Sequence, residues 1–270
     1  MRKFILRGPF FPKHEDNLMS SEGSVAFARQ TFIEKRFRNL DYLLRFRYEW
    51  MNRYLAPNQI IIEIGSGAGF SPLYLNVKPI LTDAANNPWI ERFIDATNMD
   101  LESNSVDVII ASHNIHHFYS PHKFFKECER VLKDGGVILI QEINTSLIMR
   151  ALLRLMRHEG WSYDVNVFDK DAVVNDKDDL WSANCAAPEL LFNDIHPFEK
   201  TFPLLKVELN ELCECFIFPI SGGVISKARV PELPAFMLNG VLALDRILVK
   251  FAPSIFAMGR RVVVRKRTSA

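Results

Sequence analysis

At 270 residues, with 48% hydrophobic and 24% charged side chains, the chain has the composition of an ordinary globular protein, not of a fibrous or disordered one. Thirty-three basic residues against 32 acidic ones leave a net charge of +1, which removes any global electrostatic case for a nucleic-acid partner. The four cysteines, Cys128, Cys185, Cys213 and Cys215, lack CxxC pairing and so indicate neither a structural zinc centre nor a disulfide framework; a reducing, cytoplasmic setting suits them.

The basic start Met1–Arg7 is cut off by Gly8 and Pro9 before an apolar core of signal-peptide length can form. Phe32, Ile33, Phe37, Leu40, Leu43 and Leu44 then recur at helical spacing among arginines and lysines. This predicts an amphipathic helical cap whose basic face is solvated or touches an anionic membrane. From Gln59 the texture changes to strand–helix alternation. Ile60–Ile64, Lys78–Asp83, Arg92–Asp95, Val106–Ala111 and Val137–Ile140 read as strands, and Pro121–Leu132 reads as a helix with Phe124, Phe125, Cys128, Val131 and Leu132 on its apolar face. Such alternation predicts a Rossmann-like, doubly wound α/β sheet with helices on both faces.

Beyond Glu142 the alternation stops. Thr145–Arg157 is expected to be helical, and the acid-rich stretch Asp164–Asp179 to be a solvated loop, because its carboxylates lack calcium-loop spacing. Leu205–Pro219 is expected as one long strand, Ser221–Gly223 as a turn, Leu238–Phe251 as a helix and Arg260–Arg265 as a final strand. The apolar runs at Phe216–Ile225 and Phe236–Leu244 are about half the ~20 residues that cross a bilayer, so any membrane contact should be peripheral. The organisation expected is a helical cap (1–54), a cofactor-binding core (55–143), a substrate-side insertion (144–203) and C-terminal strands of the same sheet with a helical insertion (204–270).

The chemistry concentrates at Gly65-Ser66-Gly67-Ala68-Gly69, directly after a buried strand. Glycines there let the backbone turn sharply and approach a ligand, and in a doubly wound sheet ligands bind across the carboxyl ends of the strands. Phe70 stands where a dinucleotide fingerprint needs its third glycine, and Gly69-Phe70-Ser71 is not the ending of a P-loop. Glu63, two residues before the first glycine, would repel a diphosphate but suits a ligand carrying an ammonium and a sulfonium. Asp83 closes the next strand about twenty residues later, the spacing of a ribose-binding acid, and Asp95-Ala96 closes the third, where an adenine amino group and ring would fit.

Ile61 to Phe70 resembles motif I of the class I S-adenosylmethionine-dependent methyltransferases, in the small-molecule (type 11-like) branch. Ser105–Ile109 with Ser112 and Ile115-His116-His117-Phe118 is similar to that branch's fourth motif, and Arg130–Gly136 to the turn before its fifth strand. The resemblance implies a seven-stranded sheet, mostly parallel, with an antiparallel final pair. It also implies S-adenosyl-L-methionine as cofactor, S-adenosyl-L-homocysteine as product, and a cofactor site at Glu63, Gly65, Ser66, Gly67, Gly69, Asp83, Asp95, Ala96 and Ser112. One departure stands out: too few residues separate Asp83 from Asp95 for a full crossover helix, and Asn87-Pro88-Trp89 interrupts them.

Methyl transfer from a sulfonium is an in-line displacement that mainly needs alignment, with a general base when the nucleophile is a hydroxyl. His116, then His117 and His113, near the carboxyl end of the fourth strand, are the candidate bases. No metal is expected, because adjacent histidines on a helix point apart. Aromatic residues at 10–50 and 144–200, among them Tyr42, Tyr48, Trp50, Trp161, Tyr163, Phe168 and Trp181, are expected to be core for the most part, with some lining a pocket for a small organic, glycan or lipid-like acceptor. No Asn/Asp-Pro-Pro-aromatic motif follows the fourth strand, so oxygen is favoured over an amide or nucleobase nitrogen. The alternative is a cofactor-binding scaffold or partner domain without turnover.

Overall fold

The computed structural model describes residues 8–12, 25–157, 159–179, 182–225 and 228–268. Trp181 and most of the first 24 residues lie outside them. Seven strands, β1 (Ile61–Ile64), β2 (Ile80–Asp83), β3 (Arg92–Phe93), β4 (Val106–Ser112), β5 (Leu132–Ile143), β6 (Leu205–Cys213) and β7 (Gly259–Lys266), join in the order β3-β2-β1-β4-β5-β7-β6. Pairing is parallel from β3 through β5, while β7 runs antiparallel to both β5 and β6. The Asp134-Gly135-Gly136 turn is absorbed into β5, where Gly135 at φ +76° accompanies a register shift against β4.

The period-2 alternation of the central strands sorts side chains onto two faces. Ile62, Ile64, Ile109, Ile138, Val262 and Val264 meet α3 (Pro121–Val131), α5 (Ala187–Phe192) and α6 (Ile195–Thr201) on one side. Ile61, Val108, Ile110, Leu139 and Val263 face α1 (Val25–Lys35) and α2 (Arg38–Tyr48) on the other. Both faces are buried, which is why these strands read as near-continuous aliphatic runs. Only the β4–β5 connection carries a full crossover helix, α3, whose N-cap Ser120 accepts from the Lys123 amide and precedes Pro121. After β1 a single 3-10 turn, Ser71–Leu73, takes the helix's place, and none spans β2 to β3. The N-terminal helices fill the gap: Phe32 meets Phe70 edge-on at 4.9 Å, and Tyr48 stacks on Tyr74 at 6.2 Å.

Two element expectations need correction. The N-terminal apolar stripe is split into two helices at Arg36, whose φ of +48° breaks the phase and leaves Ile33 exposed while Phe32, Leu40, Leu43 and Leu44 are buried. The strand expected over Leu205–Pro219 ends at Cys213. Glu214 turns left-handed at φ +56°, and α7 (Ile217–Ser221) follows, its first amides held by the Asp245 carboxylate. The local cause is a buried bidentate pair, Arg47 Nε and Nη2 donating to Glu214 at 2.9 and 2.7 Å, which draws Glu214 under α2. Asp245 belongs to α8 (Ala235–Phe251), which with α9 (Pro253–Phe256) fills the insertion before β7. The remaining helix, α4 (Leu147–Met156), follows β5. No helix among the described residues is long and apolar enough to cross a membrane.

Candidate active site

Gly65, Gly67 and Gly69 take φ of +60°, +50° and +61°, the left-handed region that a Cβ penalises. A Cβ on Gly65 would stand 2.8 Å from Asn114 Nδ2, whereas one on Gly67 would meet nothing within 4 Å, so the loop is open towards a ligand there. The chain ties the rest of the loop down. Gly67 N donates to Asp83 Oδ2 at 2.8 Å, and Trp89 Nε1 donates to the Gly67 carbonyl at 2.8 Å. Arg29 Nη1, from α1, donates to the carbonyls of Ala68 and Gly69 at 2.5 and 2.7 Å, its guanidinium lying 4.8 Å over the Trp89 ring. Asp83 also accepts from Ala85 N at 2.9 Å, and its carboxylate keeps lone pairs for a diol.

Behind the loop Glu63 is buried and accepts from Ser71 Oγ at 2.5 Å. Burial pushes its pKa up to about 7, although the hydroxyls around it pull the other way. Ser66 turns inward, its Oγ donating to the Glu63 carbonyl at 3.1 Å and accepting from Thr82 N at 3.1 Å. Ser112 closes β4 opposite Gln141. Asp95 is exposed and caps its own turn, accepting from Thr97 N and Oγ1 at 2.8 and 2.7 Å, while Ala96 is packed in the core. The loop, Glu63, Ser66 and Asp83 are thus brought together; Asp95 is engaged in its own turn.

Beyond Ser112 the chain turns at His113 (φ +52°) into a tight 3-10 turn, Ile115–His117. Glu142, buried at the end of β5, organises that turn. Its Oε1 accepts from Asn114 N at 2.8 Å and Ile115 N at 2.6 Å, and its Oε2 from Ile143 N at 2.9 Å and His116 Nδ1 at 2.7 Å. Burial alone would lower the His116 pKa, but the Glu142 carboxylate outweighs it and raises it. His117 Nδ1 donates to the Ser182 carbonyl at 3.0 Å, and burial with the neighbouring His116 brings its pKa down to about 4. His113 Nε2 is buried without a partner, and burial drives its pKa well down.

These histidines form the polar end of a cavity of about 360 Å³. Its walls are Met149 and Leu153 of α4, Phe218 of α7, Arg47, and residues 222–225 with Ala228. Tyr48, Trp50 and Trp161 are core residues, as expected of most of these aromatics, and the cavity lining is mainly aliphatic. Adjacency of His116 and His117 does not part them either. The 3-10 turn brings their rings to 4.3 Å, and both Nε2 atoms face the Glu159 carboxylate at 3.8 and 3.7 Å.

Residues 62–140 match the family of methyltransferase domains of type 11. Over that stretch, from β1 into β5, the chain is a methyltransferase domain. The strand order β3-β2-β1-β4-β5-β7-β6 is that of the Rossmann-like methyltransferase fold, a family whose cofactor is S-adenosylmethionine. Among solved structures, a SAM-dependent methyltransferase from Archaeoglobus fulgidus is similar over 88% of this chain and 99% of its own, at 18% identity and a TM-score of 0.51. Phosphoethanolamine N-methyltransferase 2 of Haemonchus contortus, solved with S-adenosylmethionine, is similar over 89% of this chain and 60% of its own, at 14% identity and a TM-score of 0.43. Likeness at such identities is one of fold. No curated protein sequence matches the chain. The methyltransferase domain's residues fit a cofactor that pairs a ribose with a cationic amino acid: Asp83 retains acceptor capacity, and the buried Asn114 Oδ1 beside Gly65 has no partner.

Arg29, Trp89, Asn114, Glu142 and Glu159 escape the sequence reading. Glu142 alone carried a signal, an acid at the carboxyl end of a buried strand; the others act across long separations with no local pattern.

Proposed function

We propose that the chain transfers a methyl group from S-adenosylmethionine to an oxygen of a small, largely apolar acceptor of organic, glycan or lipid-like class. When bound, the cofactor supplies an electrophilic methyl on a sulfonium. The chain's part is to hold ribose at Asp83, to face the amino-acid end with Asn114 and Glu63, and to align the acceptor. The supporting observation is the mainly aliphatic cavity of about 360 Å³ that ends in His113, His116, His117 and Glu159, one strand away from the glycine loop. In this reading the acceptor's apolar body lies against Met149, Leu153 and Phe218, and its hydroxyl is activated at the histidine end. His113 Nε2, buried and unpartnered, pairs with a second polar group of the acceptor.

A lipid-like acceptor is favoured further by α8. It exposes Phe236, Leu244, Ile247 and Phe251 beside Arg246 and Lys250, an apolar stripe with cations suited to lying in an anionic interface. The test is transfer of radiolabelled methyl from S-adenosylmethionine into fractionated lipid, glycan and small-molecule extracts. Label in a base-stable ether, lost in D83A, is expected. Label on nitrogen would refute the choice of oxygen, and tight cofactor binding with no transfer into any fraction would favour the scaffold reading.

A further inference from the structure

His116, His117 and Glu159 turn three ligand-type atoms towards one point at the polar end of the cavity, all within 4.8 Å of one another. His116 Nε2 lies 3.8 Å from Glu159 Oε2, and His117 Nε2 lies 3.7 Å from Glu159 Oε1. These separations are too long for hydrogen bonds. Around a tetrahedral zinc-sized ion, bonds of about 2.0–2.2 Å place neighbouring ligand atoms about 3.3–3.5 Å apart, so the two histidine–carboxylate separations need to close by only a few tenths of an ångström, and the set, spanning up to 4.8 Å, closes by small side-chain rotations.

The outer contacts point the same way. Each imidazole uses its other nitrogen on an acceptor: His116 Nδ1 on the Glu142 carboxylate at 2.7 Å, and His117 Nδ1 on the Ser182 carbonyl at 3.0 Å. An acceptor at Nδ1 keeps the proton there and leaves the Nε2 lone pair free to ligate, the second-shell arrangement of metal-bound histidines. Glu142 is itself fixed by three backbone amides, so the His116 ring has little freedom to turn away. Cys185 Sγ donates to Glu159 Oε2 at 3.3 Å and helps to fix the carboxylate.

We infer that His116, His117 and Glu159 bind one divalent transition-metal ion of the zinc class, with its open coordination position facing the cavity. Two imidazoles and one carboxylate suit zinc, cobalt or iron far better than magnesium or calcium, which prefer all-oxygen sets. That the open position receives the acceptor's oxygen rests on the methyl transfer proposed above; the binding of the ion does not. With the ion in place, His116 would serve as ligand, and coordination would lower the pKa of the acceptor's hydroxyl, its proton passing to solvent as the oxygen takes the methyl and the thioether leaves.

The test uses untagged full-length protein freed of metal by chelator and then dialysed. Titration with zinc chloride by calorimetry is expected to give one site per chain, and cobalt loading a visible tetrahedral absorption. H117A and E159Q should each weaken zinc at least tenfold and abolish the cobalt band, with unchanged circular dichroism confirming the fold. No saturable binding by the wild type would overturn the site, as would binding that both variants retain. One-to-one zinc binding without methyl transfer to any acceptor would sink the proposed reaction and leave the metal site standing.

Discussion

The two halves of the sheet's carboxyl edge treat their polar atoms in opposite ways. On the β1–β2 side the glycine loop is pinned by the chain itself, through Asp83, Trp89 and Arg29. On the β4–β5 side one carboxylate, Glu142, builds a rigid turn, and the turn then presents nitrogen atoms that face a cavity instead of one another. Buried polar groups are ordinarily paired, so an end left under-paired inside a well-satisfied framework marks where something else must dock. The cofactor half is a held shape; the histidine half holds one buried nitrogen, His113 Nε2, without a partner, beside two imidazoles turned to one carboxylate.

That contrast can be broken most directly at His116. H116A is expected to reduce methyl transfer by about 10²–10⁴-fold, the usual range for loss of an activating group, while the dissociation constant for S-adenosylmethionine stays within about threefold. Cofactor affinity falling in parallel with transfer would show that the halves are not separable.

A second effect belongs to the cofactor half. Glu63 has its pKa raised from 4.5 to about 7, so its ionisation is disfavoured by folding. The stability it contributes is fully present below about pH 4.5 and is lost as pH rises through 7. The full shift corresponds to about 3 kcal/mol. E63Q should therefore melt higher than wild type at pH 8 and alike at pH 4.5, while binding the cationic cofactor more weakly. Equal melting temperatures at both pH values would argue against a buried charge.

Smaller effects separate shape from contact in the loop. G65A and G67A share the left-handed strain of about 1–2 kcal/mol, but only G65A also presses on Asn114. G65A should therefore lose more stability in chemical denaturation, whereas G67A should lose chiefly cofactor affinity, because its methyl enters open space. R29A is expected to have the mildest effect, a weakening of cofactor affinity by less than about tenfold as two loop carbonyls return to water, read by calorimetry.

How far each half could be read from sequence follows from the same contrast. The glycine loop, Glu63 and Asp83 announce themselves because backbone geometry imposes its demands within a few residues. So do the aliphatic strands, whose burial on both faces is written in their composition. The histidine end is assembled across distance: Glu142 is 26 residues from His116, and Ser182 is 65 from His117. Nothing in local spacing marks such partners. The break in the N-terminal helix at Arg36 and the early end of β6 were hidden for a related reason, since a single left-handed residue, set by tertiary contacts at Glu214, overrides an apolar pattern that would otherwise continue.

Asn114 belongs to both halves. Its side-chain amide donates to the Ile64 carbonyl, just before Gly65, while its backbone amide is held by Glu142, which also holds His116. Settling a cofactor into the loop must therefore move or lock the same residue that sets the histidine turn. The consequence is kinetic: initial rates are expected to follow an ordered sequence, cofactor first and acceptor second, with the demethylated cofactor leaving last and inhibiting competitively against its parent.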